Sequence, residues 1–450
     1  MNKLLTRTYA ILILLLFQLG KSYSQDLSQK MDTLLNAYAN QFNFSGVALV
    51  SKGGKILIEK GYGYKNYAKK IPNSPNGIFQ IGSITKQFTS TVILRLQEQG
   101  KLNVQDKLSK YISDFPGSDR ITIEHLLTHT SGIYNYTNDN RFMNNESLKH
   151  VELDRMIAMM KEKPLEFTPG SKFSYSNSNY ILLGYIIQKV SGKPYEQMVR
   201  ELIFTPLQMN QSGFDFRNLK DTNRVVGYLA IDNKLQLPAP IVDSSASFAA
   251  GAIYSSADDL YKWHKALYTD KVISKASIEK AFTPKLNKYG YGWMVDSIKG
   301  KRIIKHNGGI FGFTADLVRI PADDVCIILL CNESADLSPI SRGLANIIYD
   351  LPYEIPQEKK SVQLPEDVLK TYVGEYWVSE DYKVNITLEN GQLKAQVTSQ
   401  PKVDLFAQKT DLFFVKIVDA QVEFKKDATG KVQKLVFYQG GAMVEAVKVK

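Results

Sequence analysis

Apolar and polar positions change rhythm several times along this chain. The segment "LSQKMDTLLNAYANQF" (Leu27 to Phe42) repeats apolar residues at Met31, Leu34, Leu35 and Tyr38, which is a helical period. Two runs with strand character follow, "GVALVS" and "KILIEKGYG", and the Gly53-Gly54 pair between them predicts a hairpin. From Ser83 a helix is predicted. Ile84, Phe88, Val92, Ile93 and Leu96 make one apolar stripe, and Gly100 ends it. Between about Asn103 and Pro240 the pattern reads mostly helical, broken at Pro116-Gly117, Pro164, Pro169-Gly170 and Pro206. Strand signals return in "YGWMVDSI", "RIIKHNGG", "TADLVRI" and "DVCIILLCN", and "ISRGLANIIYDL" predicts a closing helix. The result is an α/β portion split in sequence, with a helical portion inserted between its halves.

Beyond Leu351 the rhythm differs. "PYEIPQEKKSVQLP" (residues 352–365) is polar with three prolines and reads as a linker. Residues 366–450 then alternate with period two. Tyr382, Val384, Ile386 and Leu388 share one face, Asn390-Gly391 supplies a turn, and Leu393, Ala395 and Val397 resume the pattern. "LFFVKI", "QVEFKK", "KLVFYQ" and "AMVEAVKV" continue it, which predicts a small all-β meander closed as a barrel.

The N-terminus adds a different signal. Lys3 and Arg7 precede "AILILLLF" (Ala10 to Phe17), too short to span a bilayer, and Ser22 and Ser24 provide small residues before Gln25. Residues 1–24 read as a secretory signal peptide, so the mature chain is expected to be secreted or periplasmic, without a membrane span. The net charge of +11 falls to +8 once Lys3, Arg7 and Lys21 are set aside. The remaining lysines are scattered, a solvated basic surface rather than a nucleic-acid footprint. Cys326 and Cys331 are five residues apart on a predicted strand, hence on opposite faces and roughly 16 Å apart, too far for a disulfide.

The candidate chemistry starts at "FQIGSITKQF". Ser83 and Lys86 share the first turn of the predicted helix. A serine hydroxyl is a poor nucleophile until a neighbour accepts its proton. Burial and the positive end of the helix dipole both disfavour a charged lysine, which makes a neutral base accessible. The pair alone says little, because S-x-x-K also occurs at Ser277/Lys280 and Ser399/Lys402. Only Ser83 is followed by "FSYSNSNY", with Tyr175 and Asn177, and then by "KHNGGIFGF", with His306, Asn307, Gly308 and Gly309.

This ordered set resembles the serine β-lactamase and penicillin-binding-protein superfamily, on its class C β-lactamase and DD-peptidase branch. "TIEHLLTHTSGI", "FTPGSKFSYSNSNYILLG" and "AAGAIYSSADDLYKW" support the likeness, which covers about Leu27 to Leu351. The resemblance implies an antiparallel sheet flanked by helices with an inserted all-helical subdomain, in a hydrolase domain of residues 25–351. It implies Ser83 as nucleophile, Lys86 as its base and Tyr175 as second proton carrier. Asn177 would bind Lys86 and the substrate amide, and the N–H groups of Ser83 and Gly309 would form an oxyanion hole. Gly308 and Gly309 would allow close approach of the backbone to the substrate. His306 stands where the β-lactamases have lysine. It is expected to line the cleft and read a substrate carboxylate in a pH-dependent way. No metal or organic cofactor is implied. The β-rich tail resembles a lipocalin-like domain.

Other signals read as structural. His125 and His129 lie at i and i+4 but lack the remaining zinc-site residues, so packing is expected for both. His150 and His264 stand alone. Ser256 and Asp259 form a predicted capping box. Tyr289 to Trp293 ("YGYGW") could border the cleft, but aromatics on a strand are more often core; Tyr134 and Tyr136, after the "TSGI" turn, are candidates for a substrate contact. Three readings compete with a peptidase or β-lactamase: a small-molecule esterase, a penicillin- or muropeptide-binding protein without turnover, and a carrier whose business lies in the barrel.

Overall fold

The computed structural model describes residues 25–450 apart from 42, 232–234, 358, 381, 399–401, 416–419, 440–441 and 450. The predicted signal peptide lies outside the described residues. Two compact units emerge. The first comprises the described residues up to Leu35, Ser45–Leu229 and Leu237–Tyr353, and the second comprises Asn36–Phe44, Ala230–Gln236 and Glu354–Lys450.

The first unit is built on a six-stranded antiparallel sheet. Its strands are β1 (Gly46–Lys52), β2 (Lys55–Tyr62), β3 (Met294–Ile298), β4 (Lys301–Ile310), β5 (Phe313–Ile320) and β6 (Val325–Cys331), ordered β2-β1-β6-β5-β4-β3. The Gly53-Gly54 turn joins β1 to β2, with both glycines at positive φ as such a turn requires. β6 (VCIILLC) is buried along its whole length, so both faces of the central sheet are covered. Cys326 and Cys331 end up as free, buried thiols.

Side-chain alternation tells the two faces apart. Asp316 on β5 pairs across the ladder with Asn307, and its carboxylate accepts from Ser341 at 2.5 Å. Ser341 belongs to helix Ser338–Ile348, whose Ile340, Leu344, Ile347 and Ile348 are buried. The next residue, Gly308, meets Ile81, just before Ser83. Adjacent strand residues point to opposite faces, so this helix and the Ser83 turn lie on opposite sides of the sheet.

The helix that follows Ser83, α1 (Thr85–Glu98), departs from the single stripe expected of it. Thr85 to Leu94 are buried on every side. Several of its polar groups find partners inside the fold: the Thr89 hydroxyl donates to Ala249 O at 2.7 Å, and Trp263 Nε1 donates to Gln87 Oε1 at 3.0 Å. The helical insert packs around it, with α2 (Asn177–Ser191) and α3 (Ser244–Gly251) against α1. Much of the rest of the insert is short turns rather than the long helices the pattern suggested, because its prolines and glycines interrupt propagation.

The second unit contains a short helix, Glu366–Lys370, which the sequence pattern did not announce, and a closed eight-stranded barrel running from Gly374–Trp377 to Ala442–Lys448. Each strand is antiparallel to the next, and the last pairs with the first through Tyr376↔Lys448 and Trp377↔Val447. Asn390 and Gly391 both take positive φ in their hairpin. Tyr372 stacks on Phe424 at 4.5 Å, Phe413 meets the same ring edge-on at 5.4 Å, and Tyr376, Leu393, Leu405 and Leu435 complete this core. These side chains fill the barrel core, which weakens the reading of the tail as a carrier.

Candidate active site

Ser83 sits in a single 3₁₀ turn (Gly82–Ile84) that leads directly into α1. Lys86 lies in the first turn of α1 and is fully buried. Its Nζ is 3.0 Å from Ser83 Oγ, 2.8 Å from Asn177 Oδ1 and 2.8 Å from Ala250 O. Burial pushes the Lys86 pKa well below its ordinary value. The partners fit a neutral amine. Ala250 O and Asn177 Oδ1 can only accept, so they take its two N–H groups, and the lone pair faces the Ser83 hydroxyl. Ala250 lies in the last turn of α3, where helix carbonyls lack an intrahelical donor.

Tyr175 closes the other side. Its hydroxyl lies near enough to the Ser83 side chain to feel it, an influence that favours the phenolate but is outweighed. Burial is the main influence on the phenol and pushes its pKa up, so the resting group is a neutral phenol rather than a phenolate. The Lys86 Nζ lies 5.0 Å from the Tyr175 ring centroid. Beneath the ring lies His129, with centroids 4.1 Å apart. His129 Nδ1 accepts from the Ser176 N–H at 3.2 Å, which assigns the ring proton to Nε2, and burial holds this imidazole neutral. His129 is therefore a floor for Tyr175, consistent with the packing role read from the sequence. His125 bonds back to Thr122 and completes a helix cap.

β4 brings the third motif to Ser83. Burial alternates along it, with Ile304, His306 and Gly308 inward and Asn307 and Gly309 exposed. His306 is thus not in the cleft wall where the sequence reading put it. Its Nδ1 donates to Asn307 O at 2.6 Å, and its Nε2 accepts from the Tyr289 hydroxyl at 2.8 Å. Burial pushes its pKa down to about 3. A neutral imidazole with both nitrogens engaged has no cation to offer a carboxylate, so the expected pH-dependent carboxylate contact does not fit this seat. The two glycines also separate in role. A Cβ on Gly308 would lie 1.9 Å from Ile81 O, so this glycine lets the strand meet the Ser83 turn rather than a substrate. A Cβ on Gly309 would meet nothing within 4 Å.

Two cavities open on Ser83, and Ser83 and Gly309 line both. One, of about 490 Å³, runs past Tyr175, Phe173 and Tyr289 to Lys288, Asp296, Lys305 and Asn307. The other, of about 370 Å³, passes Asn177 to Tyr136, Met143, Val242, Phe311 and Phe313. The remaining candidates stand apart. Ser277 donates to Glu98 at 2.6 Å in a separate helix, and Ser399 lies outside the described residues. His150 pairs with Glu152 on the surface, and His264 is buried against Arg319 and Asp324. Ser256 caps its helix, but the Asp259 carboxylate accepts from Gln211 N and Ser212 Oγ instead of closing a capping box. No trio of His, Cys, Asp or Glu suited to a metal ion occurs among the described residues. The sequence reading missed the Ala250 carbonyl and the Tyr289–His306 bond. A backbone acceptor has no residue-type signature, and Tyr289 reads as an ordinary core aromatic.

A six-stranded antiparallel sheet with a helical insert, meeting at a Ser-Lys pair whose lysine is buried, defines a serine-hydrolase fold of the β-lactamase and penicillin-binding-protein type. A family model described as Beta-lactamase matches residues 31–345, and one described as a domain of unknown function, DUF3471, matches residues 358–447. The chain belongs to the β-lactamase family. Penicillin-binding protein 4* of Bacillus subtilis is 30% identical over 95% of this chain and 100% of its own length. Among solved structures, the octameric penicillin-binding protein homologue from Pyrococcus abyssi is similar with a TM-score of 0.66 at 24% identity, covering 94% of this chain and 100% of the homologue. The penicillin-binding protein from Bacillus halodurans is similar with a TM-score of 0.61 at 27% identity, covering 70% and 97%.

Proposed function

We propose that the chain is an acyl-serine hydrolase that cleaves amide or ester bonds through a covalent Ser83 intermediate, acting on peptides of D-amino acids or β-lactam-like compounds. The observation that supports this best is the arrangement at Lys86, where two obligate acceptors occupy the N–H groups and leave a lone pair for the Ser83 hydroxyl. Lys86 takes the Ser83 proton as Oγ attacks the carbonyl carbon. The oxyanion meets the N–H groups of Ser83 and Gly309, which flank the meeting of the two cavities. Tyr175 gives its proton to the leaving nitrogen or oxygen, and the proton that Lys86 took from Ser83 then restores the phenol. A water then attacks the ester with the same groups in reverse order. The N-terminal sequence supports secretion or a periplasmic location for this activity, and no helix among the described residues is long and apolar enough to cross a membrane.

Stereochemistry provides the test. Incubation with paired N-acetylated D-alanyl-D-alanine and L-alanyl-L-alanine peptides, followed by mass spectrometry of the released amino acid, should show release from the D-series only. Release from the L-series, alone or together with the D-series, would overturn the D-specificity, and release from neither while simple esters turn over would replace this reading by an esterase.

A further inference from the structure

The two cavities that meet at Ser83 differ in charge, and the difference assigns a direction to the substrate. The 370 Å³ cavity has no Asp, Glu, Lys, Arg or His in its lining, which consists of apolar, aromatic and small neutral residues. The 490 Å³ cavity is lined by Lys288, Lys305 and Asp296, two cations against one anion. Tyr175, the group able to protonate a leaving atom, borders the second cavity and not the first. Asn177, which binds Lys86, borders the first. The neutral cavity is therefore the acyl side, and the charged one receives the leaving group.

We propose that Lys305, assisted by Lys288, recognises an anionic group on the leaving-group side of the scissile bond, while the acyl side accepts an uncharged residue. This rests on the acyl-serine reading of Ser83. Three observations select Lys305. It is the residue next to His306 on β4, half-buried in the cavity wall, whereas His306 is turned inward onto Tyr289. It forms no ion pair within 4 Å with a described residue, although Asp296 and Asp316 are both near enough to feel its charge. Lys288, by contrast, lies 3.4 Å from Asp296 and already offsets the one carboxylate in the wall. The cation that the third motif lacks at position 306 is thus supplied one residue earlier. A half-buried ammonium on a carboxylate is a charge-assisted contact, stronger than an exposed ion pair.

The test uses three esters of N-acetyl-D-alanine. Their leaving groups are 3-hydroxybenzoate (anionic), 3-hydroxybenzamide (neutral) and 3-(aminomethyl)phenol (cationic). The readout is the ratio of kcat/KM values within each protein, which cancels any general loss of activity. In the wild type the anionic ester should be favoured over the neutral one by about tenfold. Lys305→Met should bring that ratio close to one, and Lys305→Glu should invert the order toward the cationic ester. Lys288→Met should lower the ratio by less. A wild-type ratio near one, with the neutral ester still acylating Ser83, would overturn the proposal and leave the acyl-serine chemistry standing. A high ratio that survives in Lys305→Met would also overturn it, by locating the anion reader elsewhere. Failure of every ester to acylate Ser83 would overturn the underlying reading instead.

Discussion

Gly308→Ala addresses the junction on which the site is built. In the wild type β4 passes so close to the Ser83 turn that an added methyl carbon would sit 1.9 Å from Ile81 O, 2.9 Å from Ile81 C and 3.1 Å from Ser83 N. Ordinary contact begins near 3.4 Å, so strand and turn must part by about 1.5 Å. The atoms in the way are backbone, which cannot swing aside as a long side chain would. The strain falls on the two segments that supply the Ser83 and Gly309 N–H groups. A misplacement of about 1 Å is enough to lower a rate by ~10²-fold, and loss of one oxyanion donor lowers kcat by ~10²–10³-fold. Overpacking of this kind also destabilises by about 1–3 kcal/mol. We therefore expect kcat/KM on a nitrophenyl ester to fall by on the order of 10²–10³-fold, with a Tm lower by a few degrees. Gly309→Ala is the control for stability, since its methyl group enters open space and should leave Tm unchanged. A Gly308→Ala variant with wild-type kinetics and wild-type Tm would refute the claim that this glycine holds the strand to the nucleophile.

Further expectations follow from the titratable groups. Tyr175→Phe should lower kcat on an amide substrate by ~10²–10⁴-fold with the fold intact by circular dichroism, since it removes one proton carrier; a near-normal kcat would exclude Tyr175 from proton transfer. His306, held near 3, stays neutral from pH 5.5 to 8.5, so the KM of a carboxylate-bearing substrate should show no inflection near the ordinary histidine range; a step near pH 6.5 would return His306 to the role of carboxylate reader. Glu333 is buried beside Cys331, and burial pushes its carboxyl up to about 8. The native state then binds the proton more tightly than the unfolded state does, so stability falls as pH rises from about 4.5 to about 8. Thermal melts should show Glu333→Gln gaining on the wild type across that window, by on the order of 5 °C at pH 8; parallel curves would mean that Glu333 is not buried as a neutral acid.

Much of this architecture is legible in the sequence because its signals are local. The Gly53-Gly54 and Asn390-Gly391 turns, the continuous apolar run of β6 and the Ser83–Lys86 spacing each depend on a few neighbouring residues. The strands Gly374–Trp377 and Val403–Ala407 are too short to show a period, and the barrel could close only with them. The burial of α1 on all sides was hidden because Thr85, Lys86, Gln87 and Thr89 read as a solvent face, and only distant partners such as Ala249, Ala250 and Trp263 satisfy them. The seat of His306 was within reach. Alternation along "IIKHNGG" puts His306 with Ile304 and Gly308, opposite Asn307, but the resemblance to lysine-bearing relatives drew attention to charge rather than to direction.

The central claim is that Ser83 becomes acylated, and intact-protein mass spectrometry tests it most directly. Exposure of the purified chain to a fluorophosphonate, and in parallel to a penicillin, should add one inhibitor mass per molecule, mapped by digestion to the peptide that contains Ser83 and absent from Ser83→Ala. A mass increase that persists in Ser83→Ala, or that maps to Ser277 or Ser399, would contradict the account.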